Sequence, residues 1–305
     1  MKFLKASVVA LLALVGNAQL SVAQTTTPPA SKYDQHKVFN PLFYPTNGNE
    51  YRTAGGEPGA KYWQNRADYK IAVTLDTAAN TVTGTVDITY TNNSPDKLPF
   101  LWLQLDQNIY REDSRSQATS AVAGGRFANK AFTKGNEITS VTISQNGKSQ
   151  QANFIVNDTR LQIRLADTLK ANGNKISIKI AYAFTVPEYG TDRLGRLSTK
   201  NGWIYEVAQW YPRMEVYDDV LGWNSIPYLG SSEFYLDYGN FDYSITAPAN
   251  MVVVGSGELT NPTEVYTAAT LAKLAKAKAS NTTVMIKDSS DIFSTSFYPN
   301  KASLT

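Results

Sequence analysis

The sequence contains no cysteine and a single histidine, His36, and these two shortages limit its chemistry. Without cysteine the chain can form neither a thiolate zinc site nor a disulfide, so its stability must come from its core. A zinc site with two histidines four residues apart on a helix is excluded by the histidine count. His36 lies in a polar segment, which is typical of a surface histidine rather than a metal ligand.

A strong charge imbalance is also absent, because 29 Lys and Arg stand against 26 Asp and Glu, for a net charge of +3. Two of the positive residues, Lys2 and Lys5, belong to the N-terminal leader, and no later group of Lys and Arg forms a stripe. A nucleic-acid partner therefore has no electrostatic support.

Long hydrophobic runs are missing as well. The leader combines two lysines, an apolar run at Ala6–Val15 and the small residues Ser21 and Ala23. This order is the pattern of a secretory signal peptide, and the run is about half the length that spans a bilayer as a helix. We expect cleavage near Ala23, export to the periplasm or the extracellular space, and no transmembrane segment in the mature protein.

The rest of the sequence predicts a mainly β protein. Apolar and polar residues alternate with a period of two in many short segments separated by turn residues, which favours large antiparallel sheets. Only Ala268–Lys278 has the composition of a good helix, so we expect one short helix near the C-terminus. The predicted strands are Asp68–Asp76, Thr81–Tyr90, Phe100–Leu105, Ile138–Ile143, Phe154–Val156, Leu161–Leu165, Lys175–Phe184, Gly202–Val207, Phe241–Thr246, Met251–Val254 and Thr283–Lys287.

Composition also divides the chain. Residues 1–23 form the predicted signal peptide, residues 24–60 a polar lead-in rich in Gly and Pro, and residues 61–290 the β domain. Residues 291–305 form a tail with no capping or closing element.

The segment Ala208–Tyr228, AQWYPRMEVYDDVLGWNSIPY, is the most informative about function. It holds two tryptophans, three tyrosines and two prolines. Prolines interrupt both helices and strand ladders, so the segment is predicted to be an ordered loop held by aromatic packing. Such loops on β scaffolds often form binding surfaces. An aromatic corner between strands that only packs fits the composition equally well.

Within this segment, Asp218 and Asp219 are candidates for a metal or acid/base pair. Adjacent side chains on an extended backbone point to opposite faces, so the two carboxylates converge only if a turn redirects them. We therefore favour a turn in which one aspartate side chain accepts from backbone N–H groups.

The same residues carry a resemblance to a known family. The phrases AQWYPRM and YDD-x-x-GW, followed by FDYSITAP from Phe241, resemble the non-catalytic N-terminal domain of zinc aminopeptidases of the aminopeptidase N and leukotriene-hydrolase family (gluzincin metallopeptidases). The likeness is greatest to the secreted bacterial branch and covers most of Phe43–Asp288. It implies a large, saddle-like, antiparallel β domain.

The motifs of the family's catalytic domain are absent from this sequence. Neither H-E-x-x-H, which binds zinc, nor G-x-M-E-N, which holds the substrate amine, is present. Met214-Glu215 is preceded by Arg213 and followed by Val216, so we interpret this pair as a coincidence. The resemblance thus implies a catalytically inactive fragment of a zinc aminopeptidase that removes N-terminal residues from peptides. The zinc and the catalytic domain, linked through residues 291–305, would belong to the parent protein.

The resemblance also singles out Gln209 and Tyr211 as substrate-binding residues. In the family the loop reads T-Q-x-E or S-Q-x-Q, and the residue two after the glutamine helps to bind the α-ammonium group of the peptide. Here that position is Tyr211, so Gln209 is expected to take over as acceptor while the phenol offers its oxygen or its ring face. We expect Trp210 and Tyr211 to be more exposed than a core aromatic such as Trp102, and Gln209 to lack core contacts.

A function of a different class also fits the sequence. The 11% of aromatic residues suits a stand-alone secreted β-sandwich module that binds peptide or carbohydrate. A family relative that has lost catalysis and kept its β scaffold is a third possibility.

Overall fold

The computed structural model describes residues 47–119, 131–188, 193–230, 235–291, 294, 299 and 301–305. The predicted signal peptide, His36 and most of the lead-in lie outside these residues. Asn49–Thr305 forms one compact unit. Within the described ranges, no helix combines the length and the apolar character that crossing a bilayer requires.

The larger of the two main sheets has seven strands in the described part of the chain. Its neighbours are antiparallel except for one parallel pair, in which Val73 lies opposite Ile245. In spatial order the strands are β15 (Ser303–Leu304), β14 (Phe241–Pro248), β1 (Arg66–Asp76), β2 (Thr81–Asn92), β8 (Asn174–Thr185), β4 (Glu137–Gln145) and β5 (Lys148–Gln151).

The smaller sheet positions the aromatic segment. Its order is β11 (Arg213–Met214), β3 (Leu98–Gln104), β7 (Arg160–Leu169) and β6 (Asn153–Asn157). Two separate hairpins are β9 (Leu194–Thr199) with β10 (Gly202–Val207) and β12 (Tyr217–Asp218) with β13 (Gly222–Trp223). Because Arg213 pairs with Gln104 and Met214 with Leu103, the segment after β10 becomes the edge strand beside β3.

A single hydrophobic cluster joins the two sheets. Alternate residues of each strand face it, since side chains in a strand alternate between faces. The largest side chains that are fully buried include Tyr90, Tyr182, Phe184, Leu101, Leu103 and Ile163. Burial of each such side chain contributes about 1.5–3 kcal/mol to folding, which is how a chain without disulfides is stabilised.

Helices are short in the described residues. They are α1 (Arg115–Thr119), α2 (Pro262–Val265) and α3 (Ala268–Lys278), with 3₁₀ turns at Asp106–Tyr110 and Ser289–Asp291. Helix α3 begins after Thr267, whose hydroxyl accepts from the Thr270 amide, and carries Lys276 and Lys278 in its last turn. The mainly β prediction is confirmed, and α3 has the predicted bounds, whereas α1 and α2 were not predicted.

Two strand predictions are wrong. Met251–Val254 and Thr283–Lys287 form no strand. After β14 the chain turns, with the Met251 amide donating to the Pro248 carbonyl at 3.0 Å, and Val252–Val254 run on without a ladder partner among the described residues. Their β-branched composition fits a strand, but composition alone provides no neighbour to pair with.

Candidate functional site

The five residues Ala208–Pro212 connect β10 to β11, and we call them the Gln209 loop. The loop lies at the end of the smaller sheet, where β3 runs into the 3₁₀ turn Asp106–Tyr110. The structure thus brings both predicted substrate-binding residues, Gln209 and Tyr211, beside a turn whose five residues are all buried.

Gln209 has a left-handed backbone conformation, with φ of +53°. The other non-glycine residues with positive φ in the described ranges are asparagine or aspartate, which tolerate this region well. The short side chains of asparagine and aspartate can form a hydrogen bond to the nearby backbone in this region. The longer side chain of glutamine gains no such bond, so the left-handed conformation of Gln209 costs about 1–2 kcal/mol. Outliers of this kind persist only when surrounding contacts hold them, and they are frequent at binding sites.

Two buried residues of the 3₁₀ turn hold Gln209. The Gln107 Nε2 donates to the carbonyl oxygens of Ala208 and Gln209, each at 2.9 Å. The Gln209 side chain donates to Asp106 Oδ1 at 3.4 Å and accepts from the Tyr228 hydroxyl at 3.3 Å. The expectation that Gln209 lacks core contacts is therefore wrong, because both ends of its amide reach buried partners.

Asp106 is the centre of a buried charged layer beneath the loop. Its Oδ1 accepts from Arg213 Nη2 at 2.7 Å and from Gln104 Nε2 at 2.5 Å. Burial raises the pKa of Asp106, and the opposing influences are the charge of Arg213 and the donated hydrogen bonds. The carboxylate of Asp106 places a negative charge next to the half-buried side-chain amide of Gln209.

Glu215, the second residue after Arg213 on the same edge, is buried without a hydrogen-bond partner for its Oε1 in the described structure. Burial raises the pKa of Glu215 to about 8, although Arg213 and Arg160 act in the opposite direction. Arg160 is itself held by Ser225, whose carbonyl accepts from Nη1 at 2.6 Å. Burial of Glu215 thus favours the neutral form of its carboxyl.

Tyr211 and Trp210 are half-buried rings in an aromatic cluster. Tyr211 makes edge contacts with Tyr69, Trp210 and Phe241, with ring centroids 5.2–6.0 Å apart. Burial raises the pKa of Tyr211, so its phenol remains protonated and can donate as well as accept. Trp102, in contrast to our expectation, is no core residue. It points away from Leu101 and Leu103, is also half-buried, and lies under Arg160.

An apolar pocket of about 170 Å³ adjoins Trp210. Val73 and Ile245 line it together with Val252–Val254, which are exposed at 46%, 40% and 85%. Tyr243, in edge contact with Trp210, and Phe241, in contact with Tyr211, are also exposed. We call this surface the apolar patch. It is joined to the Gln209 loop by the ring contacts of Trp210 with Tyr243 and of Tyr211 with Phe241.

The candidate pair Asp218 and Asp219 is a turn rather than an acid/base site. Asp218 Oδ1 accepts from the amides of Val220 and Leu221 at 2.9 and 2.8 Å, as predicted for a turn. Asp219 instead forms an ion pair with Arg52 at 2.7 Å, and this hydrogen bond lowers its pKa. The two carboxylates thus serve different partners.

The donor set that the structure describes does not fit zinc. Its only histidine and its lack of cysteine leave carboxylates as donors, and in the described ranges no three acidic or histidine side chains converge. The buried carboxylates lie close to Arg213, whose positive charge opposes a cation.

The supporting residues Asp106, Gln107 and Glu215 were not found from the sequence. Asp106 and Gln107 follow the strand β3 in the phrase LQLDQN, where an acidic residue and a glutamine shortly after an apolar strand are the only signal. In the sequence, Glu215 stands out only as part of the Met214-Glu215 pair.

No protein-family model matches the chain, and none of the curated proteins searched matches it. Solved structures that it resembles include a two-domain M1 zinc metallopeptidase bound to L-arginine, with 16% identity and a TM-score of 0.33. That alignment covers 64% of this chain and 35% of the other. An M1 zinc metallopeptidase from Deinococcus radiodurans has 17% identity and a TM-score of 0.33, over 64% of this chain and 34% of that one. The chain spans little more than a third of these proteins, and so remote a likeness establishes no shared activity.

Proposed function

We propose that this chain is the N-terminal, non-catalytic β domain of an exported zinc aminopeptidase that removes N-terminal residues from peptides. The observation that carries the proposal is the Gln209 loop, in which a glutamine is held in a left-handed conformation above the buried carboxylate of Asp106. The phrase AQWYPRM, which resembles the aminopeptidase N family, contains this loop.

The chemistry of the loop suits an α-ammonium group. An ammonium donates three hydrogen bonds and is favoured by nearby negative charge. Gln209 offers its amide oxygen, which the Tyr228 hydroxyl approaches only at 3.3 Å, and Asp106 supplies charge below it. Tyr211 contributes a ring face to which a cation is attracted. Zinc and the general base would be supplied by a catalytic domain of the same polypeptide, outside the residues of this chain.

The apolar patch fits the proposed partnership between domains. Exposed side chains such as Val254, at 85%, and Phe241, at 49%, are costly to leave in water and typical of a surface that another domain covers. Coverage by the catalytic domain would bring the reacting end of the peptide next to Gln209 and Tyr211.

The isolated chain should hydrolyse no substrate. We expect no turnover of aminoacyl-4-nitroanilides by the purified mature chain with zinc added, because a zinc-activated water needs a donor set that the chain lacks. Turnover that is abolished by a chelator would show that a metal site exists in this chain. It would contradict the proposal that zinc and the general base belong to a separate catalytic domain.

In the full-length enzyme, Gln209→Ala is expected to lower kcat/KM. The loss should correspond to about 1.5–3 kcal/mol of transition-state stabilisation, because one charge-assisted hydrogen bond to the ammonium group is lost. The melting temperature should fall too, since the side chain also contacts Asp106 and Tyr228. Steady-state kinetics and thermal unfolding of the same variant measure both effects.

Gln117→Ala is the matched control, because Gln117 is a partly buried glutamine that donates to the Ile109 carbonyl away from the loop. It should affect unfolding alone. If Gln209→Ala behaves like this control, with kcat/KM unchanged, the loop is a packed corner and the proposed substrate contact is wrong.

A second candidate function is a stand-alone secreted module that binds peptide or carbohydrate, and the apolar pocket beside Trp210 is the observation that favours it. The coding sequence beyond Thr305 separates the two. An in-frame H-E-x-x-H supports the aminopeptidase, whereas a stop codon or an unrelated domain supports the module.

A further inference from the structure

Gln107 lies where the smaller sheet ends and the Gln209 loop passes over it. It is 1% exposed, and its Nε2 uses both hydrogens on consecutive carbonyls, those of Ala208 and Gln209. Its own Oε1 has no hydrogen-bond partner among the described residues. A buried amide that leaves its acceptor unsatisfied is costly, so its presence calls for a reason.

The geometry of these two bonds explains the backbone of Gln209. The two carbonyls belong to the peptide planes on either side of the Gln209 Cα, and the angles between those planes are its φ and ψ. In an extended chain consecutive carbonyls point in opposite directions, and only a helical conformation of either hand turns them the same way. Here one NH₂ group binds both carbonyls, which an extended Gln209 would direct apart, and Gln209 has a left-handed φ of +53°.

We propose that Gln107 is a positioning residue that presets Gln209 to accept a primary ammonium group. This inference rests on the proposed function and adds to it the residue that prepares the acceptor. By fixing φ and ψ of Gln209, the buried amide directs the Gln209 side chain toward Asp106 and Tyr228 before any ligand arrives. A ligand then meets an ordered acceptor and loses less affinity to ordering the loop.

The test uses this chain itself, labelled for NMR, with L-leucinamide as the probe and N-acetyl-L-leucinamide as the probe without an ammonium group. Leucinamide should cause saturable shifts of the Gln209 side-chain signal, and the acetylated probe should cause none. Gln107→Ala should weaken leucinamide binding about tenfold and move the backbone carbon shifts of residue 209 out of the left-handed range. Gln107→Glu should do the same, because a carboxylate cannot donate to the two carbonyls.

Asn108→Ala is the matched control. Asn108 is equally buried in the same turn and also makes two hydrogen bonds, but with the Asp158 carbonyl and the Asn136 amide. It should reduce stability while leaving leucinamide affinity and the shifts of residue 209 unchanged. In a double variant with Gln209→Ala, the Gln107→Ala change should have no further effect on affinity, since it acts through Gln209.

The outcomes separate the two proposals. If leucinamide binds, Gln209→Ala weakens binding, and Gln107→Ala changes neither affinity nor shifts, the positioning role is wrong and the ammonium contact stands. If leucinamide and its acetylated form cause the same shifts in the unmodified chain, or neither causes any, the ammonium contact is wrong. The positioning role of Gln107 is then wrong as well.

Discussion

Replacing Asp106 with alanine is expected to lower the free energy of unfolding by about 3–5 kcal/mol. The Asp106 side chain is 1% exposed, and the Arg213 side chain that donates to it at 2.7 Å is 6% exposed. Removal of the carboxylate takes away the counter-charge at 2.7 Å from a buried guanidinium, so the desolvation cost of that charge is offset less well. Urea denaturation of the mature chain at neutral pH measures the loss.

Asp113→Ala is the matched control for this prediction. Asp113 also accepts from an arginine, Arg111, at 2.7 Å, but its side chain is 70% exposed. An exposed pair contributes about 1 kcal/mol or less. The double variant Asp106→Leu with Arg213→Met should recover most of the lost stability, because it removes both buried charges together. Equal losses for Asp106→Ala and Asp113→Ala would show that the buried layer is not held by this ion pair.

The strand pattern was predictable because one face of each strand is buried. In β2, Val82, Val86, Ile88 and Tyr90 face the hydrophobic cluster, and their spacing of two is visible in the sequence. The end of the strand was less predictable. Thr91 and Asn92 extend it by pairing with Lys175 and Asn174, and such pairing leaves no local signal. The parallel pairing of β1 with β14 was missed for the same reason.

The candidate site was predictable only in part. The substrate-binding role of Gln209 and Tyr211 is expected only from the family resemblance of their loop, whereas the turn at Asp218 follows from its own residue type. Asp106 and Gln107 belong to a segment distant in sequence, and their role depends on how β11 pairs with β3. The left-handed conformation of Gln209 is equally invisible locally, because a buried partner rather than the residue type produces it.

Glu215→Gln is expected to stabilise the protein at alkaline pH and to have little effect in mild acid. Burial raises the pKa of Glu215 from its ordinary value of 4.5 to about 8. The folded protein therefore binds this proton more tightly than the unfolded chain. Its stability falls as pH rises from about 4.5 to about 8 and is constant above that window, as far as this group is concerned. Each pKa unit corresponds to about 1.4 kcal/mol, so the penalty above pH 8 is on the order of 5 kcal/mol.

Thermal unfolding of the wild type and Glu215→Gln at a series of pH values from 5 to 9 tests this expectation. The two melting temperatures should nearly coincide at the acid end and separate by roughly 10–20 °C at the alkaline end, since about 1 kcal/mol shifts a domain of this size by 2–4 °C. The difference between the two curves is the quantity of interest, because burial also raises the pKa of Asp237, to about 7, and both proteins share that slope.

Glu206→Gln is the control for the loss of one carboxylate, because Glu206 is exposed on β10. Its curve should follow the wild type throughout. The carboxyl of Glu215 faces Arg213, Arg160 and Asp106, and the two arginines favour its charged form. If they prevail over burial, Glu215→Gln will instead be less stable than the wild type at pH 8. That result would mean that Glu215 and Asp106 are both ionised in the buried layer and are balanced by Arg213 and Arg160.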